Sequence, residues 1–91
     1  MDDRGFRATV RQVYRLQDKH LLVLEEDYRG DIGPGDRLEV ELPSGANART
    51  EVRDLAWGSA FHATNPPLTL IVDPIEAEEP RPGASVRPAG S

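Results

Sequence analysis

Residues 37–42 read RLEVEL, an unbroken two-residue alternation that sends Leu38, Val40 and Leu42 to one side of an extended chain and Arg37, Glu39 and Glu41 to the other. A helix would scatter these side chains around its axis, so the segment is a strand with one face in a core and one in water. Turn compositions bound it on both sides, GDIGPGD at residues 30–36 and PSGA at residues 43–46. The closely spaced Gly30, Gly33 and Gly35 also raise the question of a phosphate-cradling loop. Such a loop offers Gly-rich amides at the start of a helix that follows a strand. Here the glycines precede a strand, Pro34 has no amide to donate, and Asp31 and Asp36 repel phosphate. The stretch is a structural corner.

Other segments carry the same two-residue period. Residues 6–14, FRATVRQVY, put Phe6, Ala8, Val10 and Tyr14 on one side and Arg7, Thr9, Arg11 and, one step on, Arg15 on the other, with Gln12 the one imperfect inward position. A turn around Asp18 leads into residues 20–25, HLLVLE, a short apolar run that completes a hairpin. His20 reads as a surface residue at the start of that strand. Residues 48–56, ARTEVRDLA, have only Val52 and Leu55 as apolar positions, the pattern of an edge or strongly twisted strand. Pro66 and Pro67 mark where pairing of residues 68–72, LTLIV, begins, and residues 84–87 form a last strand that needs a partner. Helical periodicity is nowhere sustained, IEAEE at residues 75–79 being the best candidate for a single turn.

A chain of 91 residues supports one modest core. These elements predict an all-β fold, a small closed or nearly closed six-stranded β-barrel in which closure removes exposed edges. Residues 1–88 are expected to form the single domain and residues 89–91 a mobile tail.

Taken in order, FRATVRQVY, HLLVLEEDYRGDIGPGDRLEVEL, RTEVRDLA, PPLTLIV and PGASVRP resemble domain II of the translational GTPases, the family that includes elongation factor Tu. That family shows a strand opening on Phe, a hairpin, a Gly-x-Ile-x-x-Gly-Asp corner, an alternating strand and a closing Gly-x-x-x-x-Pro strand. The corner here is Gly30, Ile32, Gly35 and Asp36, and the closing strand runs from Gly83 to Pro88. The resemblance spans residues 6–88 and implies a barrel of translation-factor domain II type with an RNA or ribosome association. The chain contains no Gly-x-x-x-x-Gly-Lys-Ser/Thr loop, so GTPase activity does not carry over. Residues 57–67, WGSAFHATNPP, replace the Ala-Gly that these factors often have before the fifth strand.

A formal charge of -5 opposes generic binding to polyanions, which needs clustered Lys and Arg. The absence of cysteine removes disulfide and thiolate chemistry. No apolar run is long enough to span a membrane, and the opening MDDRGFRATV lacks a secretory pattern, so a cytoplasmic location is expected.

His20 and His62 have no metal-ligand spacing, and Ser59 with His62 lacks an evident orienting carboxylate; no metal, cofactor or catalytic residue is assigned. The acidic runs at residues 25–27 and 76–79 lack the ligand alternation of a calcium loop.

Two features remain as candidate binding residues. Arg7, Arg11 and Arg15 share one strand face at intervals of about 13 Å, suited to an acidic partner or a phosphate backbone, or else paired with the outward Glu39, Glu41 and Glu51. Trp57, Phe61, His62 and Asn65 lie in a segment without strand pattern, where the aromatics either plug one end of the barrel or protrude as a recognition surface.

The expectation is therefore a non-enzymatic module that recognises a protein partner. An RNA- or ribosome-associated module is the alternative, and a small hydrolase or ligand-binding protein a third reading. Oligomeric state is open.

Overall fold

The computed structural model describes residues 5–57 and 68–89. The described chain is all-β: β1 (Ala8–Leu16), β2 (Lys19–Leu24), β3 (Arg37–Glu41), β4 (Asn47–Trp57), β5 (Leu68–Val72) and β6 (Ser85–Pro88). All neighbours are antiparallel, and the order β1-β2-β5-β4-β3-β6 returns to β1, so the six strands form a closed ring.

Each strand contributes its inward positions to one core. Val10, Leu22, Leu38, Val40, Val52, Leu70 and Val72 are fully buried, as the alternation of residues 37–42 and the apolar runs of β2 and β5 require. Phe6 lies under the connection that follows β2, where its ring meets Tyr28 at a centroid distance of 6.4 Å and Ile32 packs against the same cluster. Past the far end of β3, a strap of residues 73–79 inserts Ile75, 4% exposed, into the core. The expected helical turn at residues 75–79 is absent; this strap is extended and bent.

β1 and β4 each pair with two different neighbours along their length. Residues 8 and 9 of β1 face β6 while residues 10–16 face β2, and residues 47–51 of β4 face β3 while residues 52–57 face β5. Both strands shift register where they change partner, between Val10 and Gln12 and between Val52 and Asp54, leaving Arg11 and Arg53 as the extra residues. A bulge bends a strand and raises its twist, which lets a small sheet turn its corners. Of the two readings of residues 48–56, edge or strongly twisted, the edge reading is corrected: β4 pairs with β3 over residues 47–51 and with β5 over residues 52–57, across a register shift of the kind that raises twist.

The bulge in β1 also inverts the alternation after Arg11. Tyr14, expected inward, is 52% exposed, and Val13 packs against the core in its place. One inserted residue exchanges the two faces of everything that follows. Arg15 thus leaves the face that holds Arg7, a second correction.

His20 is also not a surface residue. It is fully buried, its Nδ1 accepting the Ile75 N–H at 3.0 Å and its Nε2 lying 3.1 Å from Glu79 Oε1. Since Nδ1 accepts, the neutral ring carries its proton on Nε2 and donates to the carboxylate. The strap is fixed further by Thr50 Oγ1 donating to Asp73 O, by Ser44 N donating to Glu78 Oε1, and by the Arg15–Glu76 ion pair at 3.2 Å.

At the C-terminus, the Ala89 N–H donates to Arg37 O at 2.9 Å, and residues 90 and 91 lie outside the described residues.

Candidate functional site

The expected corner at residues 30–36 positions the most unusual side-chain arrangement of the molecule. Gly30 has φ of 89°, and a Cβ there would fall 2.6 Å from Gly5 O and 2.9 Å from Phe6 Cα. Only glycine allows this approach. Its neighbour Arg29 consequently lies flat against Arg7, the Arg7 N–H donating to Arg29 O at 2.9 Å and the Arg29 N–H to Arg7 O at 2.8 Å. The anchoring Tyr28 hydroxyl has its pKa raised by burial. At the other end of the corner, Asp36 Oδ2 accepts the Gly33 N–H at 2.8 Å, so the carboxylate already holds an amide that a phosphate loop would have to offer.

A reciprocally bonded antiparallel pair carries its side chains on one face, about 5.5 Å apart at Cα. Two arginines therefore stand directly opposite each other, where like charges are unfavourable by about 0.2–1 kcal/mol. Continuing the β1–β6 register of Ala8↔Val86 and Thr9↔Ser85 by one residue brings Arg87 to the other side of Arg7. Arg87 in turn faces Glu39, and Glu39 faces Arg49. Adjacent strands thus carry one outward row, Arg29–Arg7–Arg87–Glu39–Arg49.

The single carboxylate in this row is shared. Glu39 Oε1 lies 3.3 Å from the Arg87 guanidinium and Oε2 lies 3.5 Å from Arg49. Among the described residues, the guanidiniums of Arg7 and Arg29 have no ion-pair partner. They line, with Arg87, Thr9, Ser85 and Asp27, an open cleft of about 410 Å³. Its electrostatic character is that of three cations facing one carboxylate.

The other candidates fall differently. Arg11 is the bulge residue of β1 and lines the neighbouring cleft with Glu25, Glu26 and Asp27, so it borders the row without belonging to it. Arg15 is held by Glu76 on the strap. Phe61, His62 and Asn65 lie outside the described residues, as does Ser59, and Trp57 ends β4 with its side chain also outside them. Arg29 and Arg87 were missed by sequence reasoning, because they lie 22 and 80 positions from Arg7 and only strand pairing joins them. A trace of the signal existed in Gly30, whose place directly after Arg29 marks a close backbone approach.

A second charged group belongs to the scaffold. Arg53, the bulge residue of β4, grips Asp73 through Nε at 2.6 Å and Nη2 at 2.8 Å. The hydrogen bonds from Arg53 hold the Asp73 carboxyl below its ordinary pKa, and the same bonds raise that of Arg53. Among the described residues no three His, Cys, Asp or Glu side chains gather to hold a metal ion, and no helix is long and apolar enough to cross a membrane. No family model, curated protein or solved structure matches the chain.

Proposed function

We propose that the protein is a non-enzymatic binding module that docks an acidic segment of a partner protein on the Arg29–Arg7–Arg87 row. The observation that carries this reading is the direct opposition of Arg7 and Arg29, two exposed guanidiniums without a carboxylate partner among the described residues. A fold has little reason to set like charges face to face; an anionic ligand between them turns the repulsion into a pair of charge-assisted hydrogen bonds.

The net charge of -5 and the acidic border at residues 25–27 favour a protein segment over an RNA backbone, whose successive phosphates would meet those carboxylates. The closed ring of six strands, the Gly30–Asp36 corner and the closing strand ending at Pro88 support a barrel of translation-factor domain II type, used without a nucleotide-binding domain.

The test is affinity capture from native lysate with and without nuclease, comparing wild type with Arg7→Glu and Arg29→Glu. Nuclease-resistant capture of a protein, lost in both variants, is the expected result. Capture that disappears on nuclease treatment rejects a protein partner.

A further inference from the structure

We propose that the anionic group recognised by the arginine row is a phosphoryl dianion carried on a protein segment, so that the cleft is a phosphopeptide site. This rests on the reading of the row as a docking surface for an acidic partner and names the chemistry of the ligand.

The donor set of the cleft exceeds what a carboxylate can use. A carboxylate brings one charge and two coplanar oxygens with about four lone-pair sites, which two guanidiniums fill, as Arg87 and Arg49 do at Glu39. Here the forks of Arg29 and Arg7, without a carboxylate partner among the described residues, border one cleft with Arg87, whose guanidinium also meets Glu39 at 3.3 Å, and two hydroxyls. Neighbouring strands are about 4.8 Å apart, so the three Cα atoms of the row span about 10 Å, a distance that long side chains bridge when Arg87 turns from Glu39 toward a ligand above Arg7. Two residues along each strand, Thr9 and Ser85 pair in register on the same outward side, opposite in sense to the inward Ala8 and Val86, and both line the cleft. Their hydroxyls add donors beside the guanidiniums. A phosphomonoester supplies the matching partner, with a charge of about -1.5 to -2 and three terminal oxygens.

The surroundings confine the favourable field to one such group. Along the strand direction the row is followed by Glu25 and Asp27, with Arg11 beside them, and across the strands Glu39, held between Arg87 and Arg49, interrupts the cations. A chain of regularly spaced phosphates running along the strands would have to pass Glu25 and Asp27, whereas a single phosphorylated side chain on an otherwise neutral segment would not. Asp27, in the cleft itself, opposes any second negative charge beside the first. The footprint fits one phosphoryl group.

The decisive measurement is an NMR titration of the full chain at physiological salt, following the backbone amides and the arginine Nε–H signals. The probes are a short Gly/Ser/Ala peptide bearing one phosphoserine, the same peptide with serine or glutamate at that position, inorganic phosphate, and a 5′-phosphorylated single-stranded oligonucleotide. The phosphoserine peptide should shift Arg7, Arg29, Arg87, Thr9 and Ser85, bind at least about tenfold tighter than the glutamate peptide, and be displaced by inorganic phosphate. Arg7→Gln combined with Arg29→Gln, and separately Arg87→Gln, should each weaken it by about tenfold or more while the remaining spectrum stays in place.

Equal affinity for the glutamate and phosphoserine peptides overturns the phosphoryl assignment and leaves the acidic-partner reading standing. Absence of binding by every peptide overturns both. Tighter binding of the oligonucleotide than of the phosphopeptide also overturns both, in favour of nucleic acid, and affinity unchanged in the arginine variants removes the site.

Discussion

His20 Nδ1 accepts the backbone N–H of Ile75 at 3.0 Å across 55 positions of sequence, and this buried bond ties the strap that carries Ile75 into the core to the strand beneath it. The ring's other nitrogen points to Glu79, so a single buried imidazole satisfies a strap amide and engages a strap carboxylate. Removing it with His20→Ala leaves the Ile75 amide unsatisfied and opens a cavity beside Val72. The expected loss is about 2–4 kcal/mol in urea unfolding. Nitrogen-15 spectra of the native ring near neutral pH should show Nδ1 unprotonated; a proton on Nδ1 would contradict the bond to Ile75.

Gly30 and Gly35 both have positive φ, 89° and 94°, but only Gly30 has backbone atoms where a Cβ would go. Gly35→Ala should therefore cost about 1 kcal/mol for its conformation alone. Gly30→Ala forces apart the contact with Gly5 and Phe6 as well, and should cost at least about 1 kcal/mol more. Thermal unfolding of the two variants side by side measures the difference, and equal losses would mean that the chain does not pass this close.

The Asp73 carboxyl is held below its ordinary pKa by its hydrogen bonds to Arg53. Unfolding returns it to about 3.9, so the unfolded chain binds the proton more readily than the native one. Its contribution to stability is full above about pH 4 and disappears as the pH falls through the lower native value. Asp73→Asn should flatten that acidic limb of the stability profile and change the slope near neutral pH little. A steeper limb would contradict the assignment.

Arg7→Glu tests whether the row is there for function. It replaces a like-charge pair opposite Arg29 with an opposite-charge pair, so the variant should gain about 0.2–1 kcal/mol in denaturant unfolding while losing the acidic ligand. Stabilisation accompanied by unchanged ligand binding would show that the opposition of Arg7 and Arg29 has no part in recognition.

Tyr14 and Val13 test the bulge. With the alternation inverted after Arg11, Tyr14→Thr should stay within about 0.5 kcal/mol of wild type, whereas Val13→Thr, which sets a hydroxyl against the core, should cost about 1 kcal/mol or more. The reverse order would restore the uninterrupted pattern of residues 6–14.

Much of the fold was legible in local periodicity. Residues 37–42 alternate strictly, and Leu38 and Val40 are core residues. The runs HLLVLE and LTLIV became β2 and β5, and the expected short last strand found partners on both sides, β3 and β1. Alternation is enough here because side-chain direction in a strand depends only on neighbouring residues. Where an extra residue enters, as at Arg11, the same rule carries the error forward, and Tyr14 and Arg15 were assigned to the wrong faces. A bulge is set by the need to turn a corner between two partners, and in residues 6–16 only the polar Gln12 at an inward position hints at it.

The candidate site was legible only in part. Arg7 was visible as an outward arginine, but its significance depends on Arg29 and Arg87, and His20 became a core residue only because a strap from residues 73–79 lies over it. By itself the sequence determined the strands, most of the core and the glycine corner, since these follow from period, turn chemistry and apolar content within a few residues. Only the tertiary structure decided which charges stand together, because cross-strand register, and not distance along the chain, brings residues 7, 29 and 87 to one cleft and leaves two guanidiniums facing each other.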